Sequence, residues 1–370
     1  MNISIICAKK NSWPFIDSPW DLLVICYSTL NENLFMTFNH AMGILSAYFL
    51  PILSIFGIIS NIHIVYIFLY SFRNKTRQVI YLSSLAMADC LNIILSALIF
   101  MFPSKGLPYA TNGDVYFFIL SYGHSACVGY RLVSTFTATL AINLLILTSV
   151  DRCISIYFPF RFLRMSLKKA WILIGVTVFI TVVEVLPIAA TMRGYRLNNL
   201  GQIHCSMSSI NPVVSLIIQI YRQLFCNCGF LQVFMICVIN LLLLFKILQT
   251  DKLRKEIRSV DNHSSREISA CTLLLVLSFI FAISTLPQVI SLQIAFFLPS
   301  TANSDVMRLV YNINDISWLL FLSQESINWI IYVFKMHSFR FYALQSLGIK
   351  SIKISKDQSQ TRVTENEIKL

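Results

Sequence analysis

Ser149-Val150-Asp151-Arg152-Cys153 closes the third of seven long apolar runs in this 370-residue chain, and this stretch decides the predicted fold. An Asp-Arg pair at the end of an apolar run places charge at the boundary between membrane and water, at a cost in desolvation free energy. Composition agrees, because 56% of the residues are hydrophobic and only 12% are charged, about half the roughly 25% of soluble domains. Apolar runs of about 20 residues therefore predict transmembrane helices.

The runs predict an all-α membrane protein built as a seven-transmembrane helix bundle, whose spans we number in chain order. They cover Ser46–Tyr70, Val79–Met101, Ala126–Tyr157, Ala170–Ala190, Val214–Leu248, Ile268–Phe296 and Val310–Val333. A short amphipathic stretch, Ser338–Leu347, follows span 7 and suits a helix at the membrane surface. We therefore divide the chain into an extracellular N-terminal segment (1–45), a membrane domain with its amphipathic helix (46–347) and a cytoplasmic tail (348–370).

Basic residues determine the predicted orientation. The loops after spans 1, 3 and 5 are rich in Lys and Arg, and the opposite loops are poorer in both. By the positive-inside rule, the N-terminus lies outside and the tail inside. The formal net charge of +12 is therefore a topology signal and not a sign of nucleic-acid binding. We expect a multi-pass plasma-membrane protein in contact with lipid, glycosylated at Asn2 in the outer sequon Asn2-Ile3-Ser4.

Motifs of several spans occur in a characteristic order and spacing. They are Gly57-x-x-x-Asn61, Leu85 to Asp89, Cys127, Asp151-Arg152-Cys153, Phe281, Pro287 and Asn328 to Tyr332. Together they resemble the rhodopsin-like (class A) G-protein-coupled receptors, from about Ile52 to Leu347. Spans 6 and 7 are similar to the invertebrate FMRFamide and myosuppressin peptide receptors, and equally similar to the nematode Srw chemoreceptors.

The chain departs from the family pattern at several positions. Cys153 replaces the usual Tyr, and Thr285 stands where a Trp usually precedes Pro287 by two residues. Trp329 replaces the Pro of the span 7 motif, and span 5 lacks its usual Pro. These departures put the standard switch of span 6 in question.

The resemblance implies that Arg152 is a switch at the inner side. Asp151 would hold its guanidinium at rest, and Glu267 at the base of span 6 would accept a second bond. Ligand binding would release Arg152 toward a heterotrimeric G protein. Phe160 and Tyr332 would belong to the same coupling surface. Alternatively, Asp151 and Arg152 only anchor the helix at the headgroups, Glu267 is a solvated charge, and Phe160 faces lipid.

The resemblance also implies a buried polar pocket, in which Asp89 faces Asn61 and Asn328 and often a sodium ion. Glu325 lies three residues before Asn328 and so on the same helical face. Two close carboxylates at low dielectric cannot both be ionised without a cation. We expect either a shared proton or a bound sodium ion between Asp89 and Glu325, and no other cofactor. The alternative is that Glu325 is neutral and faces elsewhere.

On the outer side, the resemblance implies a disulfide between Cys127 and Cys205 and a ligand pocket at the mouth of the bundle. Ser134 stands where amine receptors carry an Asp, and span 7 lacks the Lys of an opsin, which argues against amines and retinal. The 21-residue outer loop from Thr191 to Asn211 is long enough for a hairpin lid. The predicted pocket residues are Arg131, Ser134, Thr135, Glu184, Thr285, Gln288 and Asp315. For Glu184, a polar contact between helices is an equal alternative.

The predicted function is that of a G-protein-coupled receptor for an extracellular ligand, with an RF-amide-type neuropeptide favoured. The alternative within this class is a chemosensory receptor for an environmental small molecule or peptide. The serines and threonines of the tail predict arrestin as a further partner. A transporter or channel is a remote alternative, because the chain shows no internal repeat. We expect no enzyme, because the sequence contains no zinc-protease motif and no nucleophile elbow.

Overall fold

The computed structural model describes residues 33–72, 75–115, 117–158, 166–196, 203–207, 212–226, 229–257, 262–297 and 304–348. These residues confirm the all-α fold with seven spans. Span 1 consists of Asn33–Ile44, Leu45–Phe49, Leu50–Tyr66 and Ile67–Ser71, and span 2 of Arg77–Asn92, Ile93–Gly106 and Leu107–Ala110. The other spans are His124–Tyr157, Leu167–Thr191, Pro212–Phe225 with Phe230–Ile257, Asn262–Phe297 and Ser304–Lys335. A final helix covers His337–Ser346.

Among the described residues, spans 1 to 6 contain six helices that are long and apolar enough to cross a membrane. Span 7 is not among them, although its 32 residues correspond to about 48 Å of helix, well beyond a hydrocarbon core of about 30 Å. Span 7 is less apolar than the other spans because one face of its helix is polar. This face points into the bundle, where the other spans cover it. The buried polar side chains of span 7 are Asn312, Ser317, Gln324, Glu325, Ser326 and Asn328.

Span 1 begins earlier than the apolar pattern predicts, at Asn33 instead of Ser46. The additional turns pack against the outer ends of spans 2 and 7. The hydroxyl of Tyr109 lies 2.7 Å from Nδ1 of His40, and Asn312 donates a hydrogen bond to Asn39. Apolar packing adds to these polar contacts, since Met42 is fully buried among residues of spans 2 and 7. The sequence pattern missed these turns because Asn33, Asn39 and His40 interrupt the apolar run.

Span 5 is two helices and not the single helix that the sequence predicts. The first ends at Phe225 and the second begins at Phe230. The amide of Gly229 donates a 3.2 Å hydrogen bond to Oε1 of Gln232, which caps the second helix. Non-helical backbone at membrane depth is tolerated only where the protein satisfies it. Here the buried Gly229 meets that condition, and a β-carbon at this position would overlap the carbonyl oxygen of Leu224.

The outer loop after span 4 forms an antiparallel hairpin of strands Met192–Arg196 and Ile203–Met207, in which Gly194 is opposite Cys205. Cys205 forms a disulfide with Cys127 at the outer end of span 3, with a Cα–Cα distance of 5.6 Å. Both the hairpin and the disulfide agree with the sequence predictions. The hairpin is thereby fixed over the outer end of span 3.

The helix after span 7 packs on the inner end of the bundle through its apolar side. Phe339 is fully buried, with ring centroids 5.2 Å from Phe68 of span 1 and 5.6 Å from Tyr332 of span 7. Phe68 and Tyr332 also contact each other at 5.5 Å. The predicted amphipathic helix is therefore part of the protein core through Phe339.

Substitution of Gly229 by Ala is expected to destabilise the protein by about 1–3 kcal/mol, because the added β-carbon has no space at the interruption of span 5. The midpoint of thermal unfolding in detergent measures the effect. Gly175→Ala in span 4 is the matched control, since a β-carbon there meets no atom within 4 Å. Equal midpoints for the two variants would contradict this account of span 5.

Candidate functional site

The inner end of span 3 carries a buried charge cluster centred on Asp151. Arg152 donates a 2.7 Å hydrogen bond to Oδ2 of Asp151. The other carboxylate oxygen, Oδ1, accepts a hydrogen bond from the hydroxyl of Tyr81 at 3.5 Å. Oδ1 also lies 3.6 Å from the guanidinium of Arg77. One carboxylate therefore joins two arginines and a phenol from spans 2 and 3.

Span 2 contributes to this cluster through its first turns. Its first residue is Arg77, and Tyr81 follows four residues later, on the same face of the helix. Thr76 caps the helix by accepting a hydrogen bond from the amide of Val79 at 3.4 Å. The exposed fractions of Arg77, Tyr81, Asp151 and Arg152 are 5%, 0%, 5% and 8%. Charges this deeply buried are stable only when they are paired.

The other predicted residues of the inner switch have different outcomes. Tyr332 is buried in the aromatic contact with Phe68 and Phe339. Glu267 lies on the helix Asn262–Phe297, but its side chain lies outside the described part of the structure, as does Phe160. The sequon residue Asn2 also lies outside the described residues.

A contact between spans 3 and 5 at the inner side was not foreseen from the sequence. The hydroxyl of Tyr157 donates a 3.2 Å hydrogen bond to the carbonyl of Leu242. The ammonium of Lys246 lies 5.5 Å from the centre of the Tyr157 ring, within the range of a cation–π interaction. These contacts join the inner ends of spans 3 and 5.

A second polar cluster lies in the middle of the bundle, between spans 2 and 7. Asn328 donates a 2.9 Å hydrogen bond to Oδ2 of Asp89, and Gln324 donates to Oδ1 of Asn328 at 3.1 Å. The amide of Asn92 donates to both carboxylate oxygens of Glu325, each at 2.9 Å. Each carboxylate of this cluster thus has one amide donor from the facing span.

Sequence reasoning placed Glu325 and Asn328 on the same face, which the structure confirms, but it missed Asn92 and Gln324. A signal was available, because Asn92 follows Asp89 by three residues and so shares its helical face. Sequence reasoning also placed Asn61 against Asp89. Asn61 instead donates to the carbonyl oxygen of Gly57, one turn earlier in its own helix, at 2.9 Å. It also donates to the carbonyl oxygen of Glu325 in span 7 at 3.1 Å.

Asp89, Glu325 and Asn328 line a small cavity with a volume of about 10 Å³. That space is near the lower limit for one ordered water. The span 3 wall is apolar and consists of Ala141, Ile142 and Leu145. The carboxylate and amide oxygens of spans 2 and 7 are the ligand type that hard cations prefer. No group of three or more His, Cys, Asp or Glu side chains suited to a metal occurs among the described residues.

Trp329, which replaces the usual Pro of the span 7 motif, has a defined partner. Its indole N–H donates a 3.1 Å hydrogen bond to Nδ1 of His63 in span 1. The second ring nitrogen of His63 lies 2.7 Å from the hydroxyl of Ser346 at the end of the last helix. The departure from the family pattern therefore links spans 1 and 7 to the amphipathic helix.

The predicted ligand-pocket residues differ in how deeply they lie in the bundle. Asp315 and Arg131 take part in contacts at the mouth: Asp315 lies 3.3 Å from the ammonium of Lys105, and Arg131 lies 5.5 Å from the Phe100 ring. Thr135, Thr285 and Gln288 are buried inside the bundle, and Ser134 is half-buried and donates to the carbonyl of Arg131 at 3.4 Å.

Glu184 forms a contact between helices, the alternative that sequence reasoning had left open. Its carboxylate accepts a 2.7 Å hydrogen bond from Asn143 of span 3. Asn143 also accepts a 3.1 Å hydrogen bond from Gln232 of span 5, and the thiol of Cys226 donates to the backbone carbonyl of Glu184 at 3.5 Å. Glu184 thus supports the interruption of span 5 instead of facing the mouth.

Comparison with protein families gives a match between residues 60–332 and the family described as 7 transmembrane receptor (rhodopsin family). The matched region extends from the middle of span 1 to the inner end of span 7 and includes both polar clusters. A search of curated proteins finds no relative of this chain.

Substitution of Asn92 by Leu is expected to destabilise the protein by about 1–3 kcal/mol, because it removes the amide donor of the buried Glu325 carboxylate. Thermal unfolding in detergent measures the loss. The double variant Asn92→Leu with Glu325→Met is the control and should recover most of it, since no buried carboxylate is left without its donor. Equal destabilisation of the single and double variants would show that Asn92 does not act through Glu325.

Proposed function

Because the chain belongs to the rhodopsin family of seven-transmembrane receptors, we propose that it is a plasma-membrane receptor that activates a heterotrimeric G protein when an extracellular ligand binds. The observation that carries this proposal is the buried pair of Asp151 and Arg152 at the inner end of span 3. A charge-assisted hydrogen bond of 2.7 Å between neighbouring residues gives Arg152 a defined resting position.

The position of Arg152 supports a switch instead of a headgroup anchor. An anchor at the lipid headgroups would be solvated, whereas Arg152 is only 8% exposed. Its partner Asp151 also contacts Arg77 and Tyr81, which joins the inner ends of spans 2 and 3. A change that separates the inner ends of these spans would therefore expose Arg152 to a partner on the cytoplasmic side.

For the ligand we propose an RF-amide-type peptide. The hairpin of Met192–Arg196 and Ile203–Met207 provides a lid fixed by the Cys127–Cys205 disulfide. The mouth carries both signs of charge, with Lys105, Arg131 and Asp315 near the outer ends of spans 2, 3 and 7. Such a mixed polar rim suits a peptide that presents a cationic side chain and backbone amides. The cytoplasmic tail remains the predicted binding site for arrestin.

For the polar pocket we propose that Asp89 and Glu325 share one positive charge, either a proton or a sodium ion. Both carboxylates are buried, with exposed fractions of 2% and 1%, and both face the same cavity. Two negative charges at low dielectric repel each other strongly unless a cation or proton lies between them. A ligand-dependent change in the cavity would then shift the affinity for that cation, and the cation would reciprocally bias the receptor.

Nucleotide exchange on purified G protein tests the proposed function. We expect amidated RF-type peptides to raise nucleotide exchange by the unmodified receptor. Arg152→Gln should reduce exchange to the receptor-free background, and Asp151→Asn should raise agonist-independent exchange. Arg340→Gln removes an exposed charge of the last helix and is the matched control. Unchanged exchange in Arg152→Gln, or a cytosolic N-terminus, would contradict the proposal. Exchange that responds to other compounds but not to RF-type peptides would contradict only the ligand class.

Substitution of Glu325 by Gln tests the shared charge. The neutral amide removes one of the two carboxylates, so we expect agonist-independent exchange to lose most of its dependence on sodium concentration and on pH. Glu184→Gln is the control, since Glu184 belongs to a different polar network. Sodium and pH dependence in Glu325→Gln equal to that of the unmodified receptor would reject the pair.

A further inference from the structure

Arg77 has no role in the proposed switch, yet it lies in the buried charge cluster at the inner end of the bundle. Its guanidinium is 3.6 Å from Oδ1 of Asp151, and its side chain is 5% exposed. A basic residue in an inner loop would serve topology equally well if it were exposed, as Lys75 is. The burial of Arg77 against Asp151 therefore requires a different explanation.

The two oxygens of Asp151 have different partners. Oδ2 is occupied by Arg152 at 2.7 Å, within hydrogen-bond distance. Oδ1 is approached by Arg77 at 3.6 Å and by the Tyr81 hydroxyl at 3.5 Å, which are both at or beyond the limit of a good hydrogen bond. In this structure the carboxylate is therefore bound tightly to Arg152 and loosely to span 2.

Release of Arg152 would leave the Asp151 carboxylate without its closest cationic partner. Asp151 is 5% exposed, and a buried charge that loses its partner is strongly destabilising. A receptor in which Arg152 were the only cation near Asp151 would bear this full cost in its open state. A second cation that moves closer as Arg152 leaves would remove most of it.

We propose that Arg77 is a positioning residue that takes over Asp151 when Arg152 is released, and so stabilises the open state of the receptor relative to the closed state. The inference rests on the proposed function, since it assigns the carboxylate a partner in the signalling conformation. The 3.6 Å separation of the Arg77 guanidinium from Asp151 exceeds a hydrogen bond of about 2.9 Å by less than 1 Å, so a small movement would close it.

Arginine is well suited to this exchange of partners. Its guanidinium stays charged in proteins and offers five N–H donors in a planar fork that can bind both oxygens of a carboxylate. Tyr81 lies one turn further along span 2 and adds a neutral donor to Oδ1. Span 2 thus presents a guanidinium and a phenol to the same oxygen of Asp151.

Agonist-independent exchange by purified receptor in nanodiscs, at excess G protein and normalised to folded receptor, tests the inference. We expect Arg77→Gln to lower exchange about tenfold, Arg77→Lys to retain more of it than Arg77→Gln, and Tyr81→Phe to give a smaller decrease. Lys75→Gln removes a nearby exposed charge and should leave exchange unchanged. In an Asp151→Asn background, Arg77→Gln should have no further effect, because the carboxylate that it serves is absent.

Three results would overturn the inference. The first is an exchange rate in Arg77→Gln equal to that in Lys75→Gln, and the second is a higher exchange rate in Arg77→Gln. The third is an effect of Arg77→Gln that is equally large in the Asp151→Asn background. If Arg77→Gln fails to fold, Arg77→Lys and Tyr81→Phe carry the test, and exchange equal to the unmodified protein in both would overturn it. Failure of the proposed function is distinguishable, because exchange would then also survive Arg152→Gln.

Discussion

The bilayer offers no water to polar groups inside the bundle, so each of them must find its partner within the protein. Span 7 illustrates the consequence, because its polar face is covered by the other spans. The same condition places Asp89 against Asn328 and Glu325 against Asn92. Polar side chains therefore decide how spans 1, 2 and 7 face each other, while apolar contacts supply most of the favourable burial.

The two carboxylate clusters differ in a way that suits different roles. At mid-depth, Asp89 and Glu325 face each other with amide donors and no arginine among their described hydrogen-bond partners. At the inner boundary, Asp151 has two guanidiniums for one carboxylate. The first arrangement has an excess of negative charge, which attracts a proton or cation. The second has an excess of positive charge, which allows one arginine to leave while the other remains.

Two departures from the common family pattern, at Trp329 and in span 5, are accompanied by defined contacts. Trp329 stands in place of a Pro, and its indole binds His63. Span 5 lacks its usual Pro, and the interruption before Phe230 separates its outer and inner halves instead. Gly229, Gln232 and the backbone of Glu184 satisfy that interruption. These contacts keep the bundle consistent with a receptor although individual motif residues differ.

The family resemblance supplied the pairing of Cys127 with Cys205, which the structure contains. The sequence by itself predicted the seven spans, their orientation and a functional importance of Asp151, Arg152 and Asp89. These features follow from apolar length, from loop charge and from the cost of placing charge in a membrane, all of which are local properties. Only the tertiary structure assigned partners, since spans that are distant in sequence meet in the bundle. It brought Arg77 to Asp151 and Asn92 to Glu325, and it divided span 5, because such pairings depend on how helices approach each other.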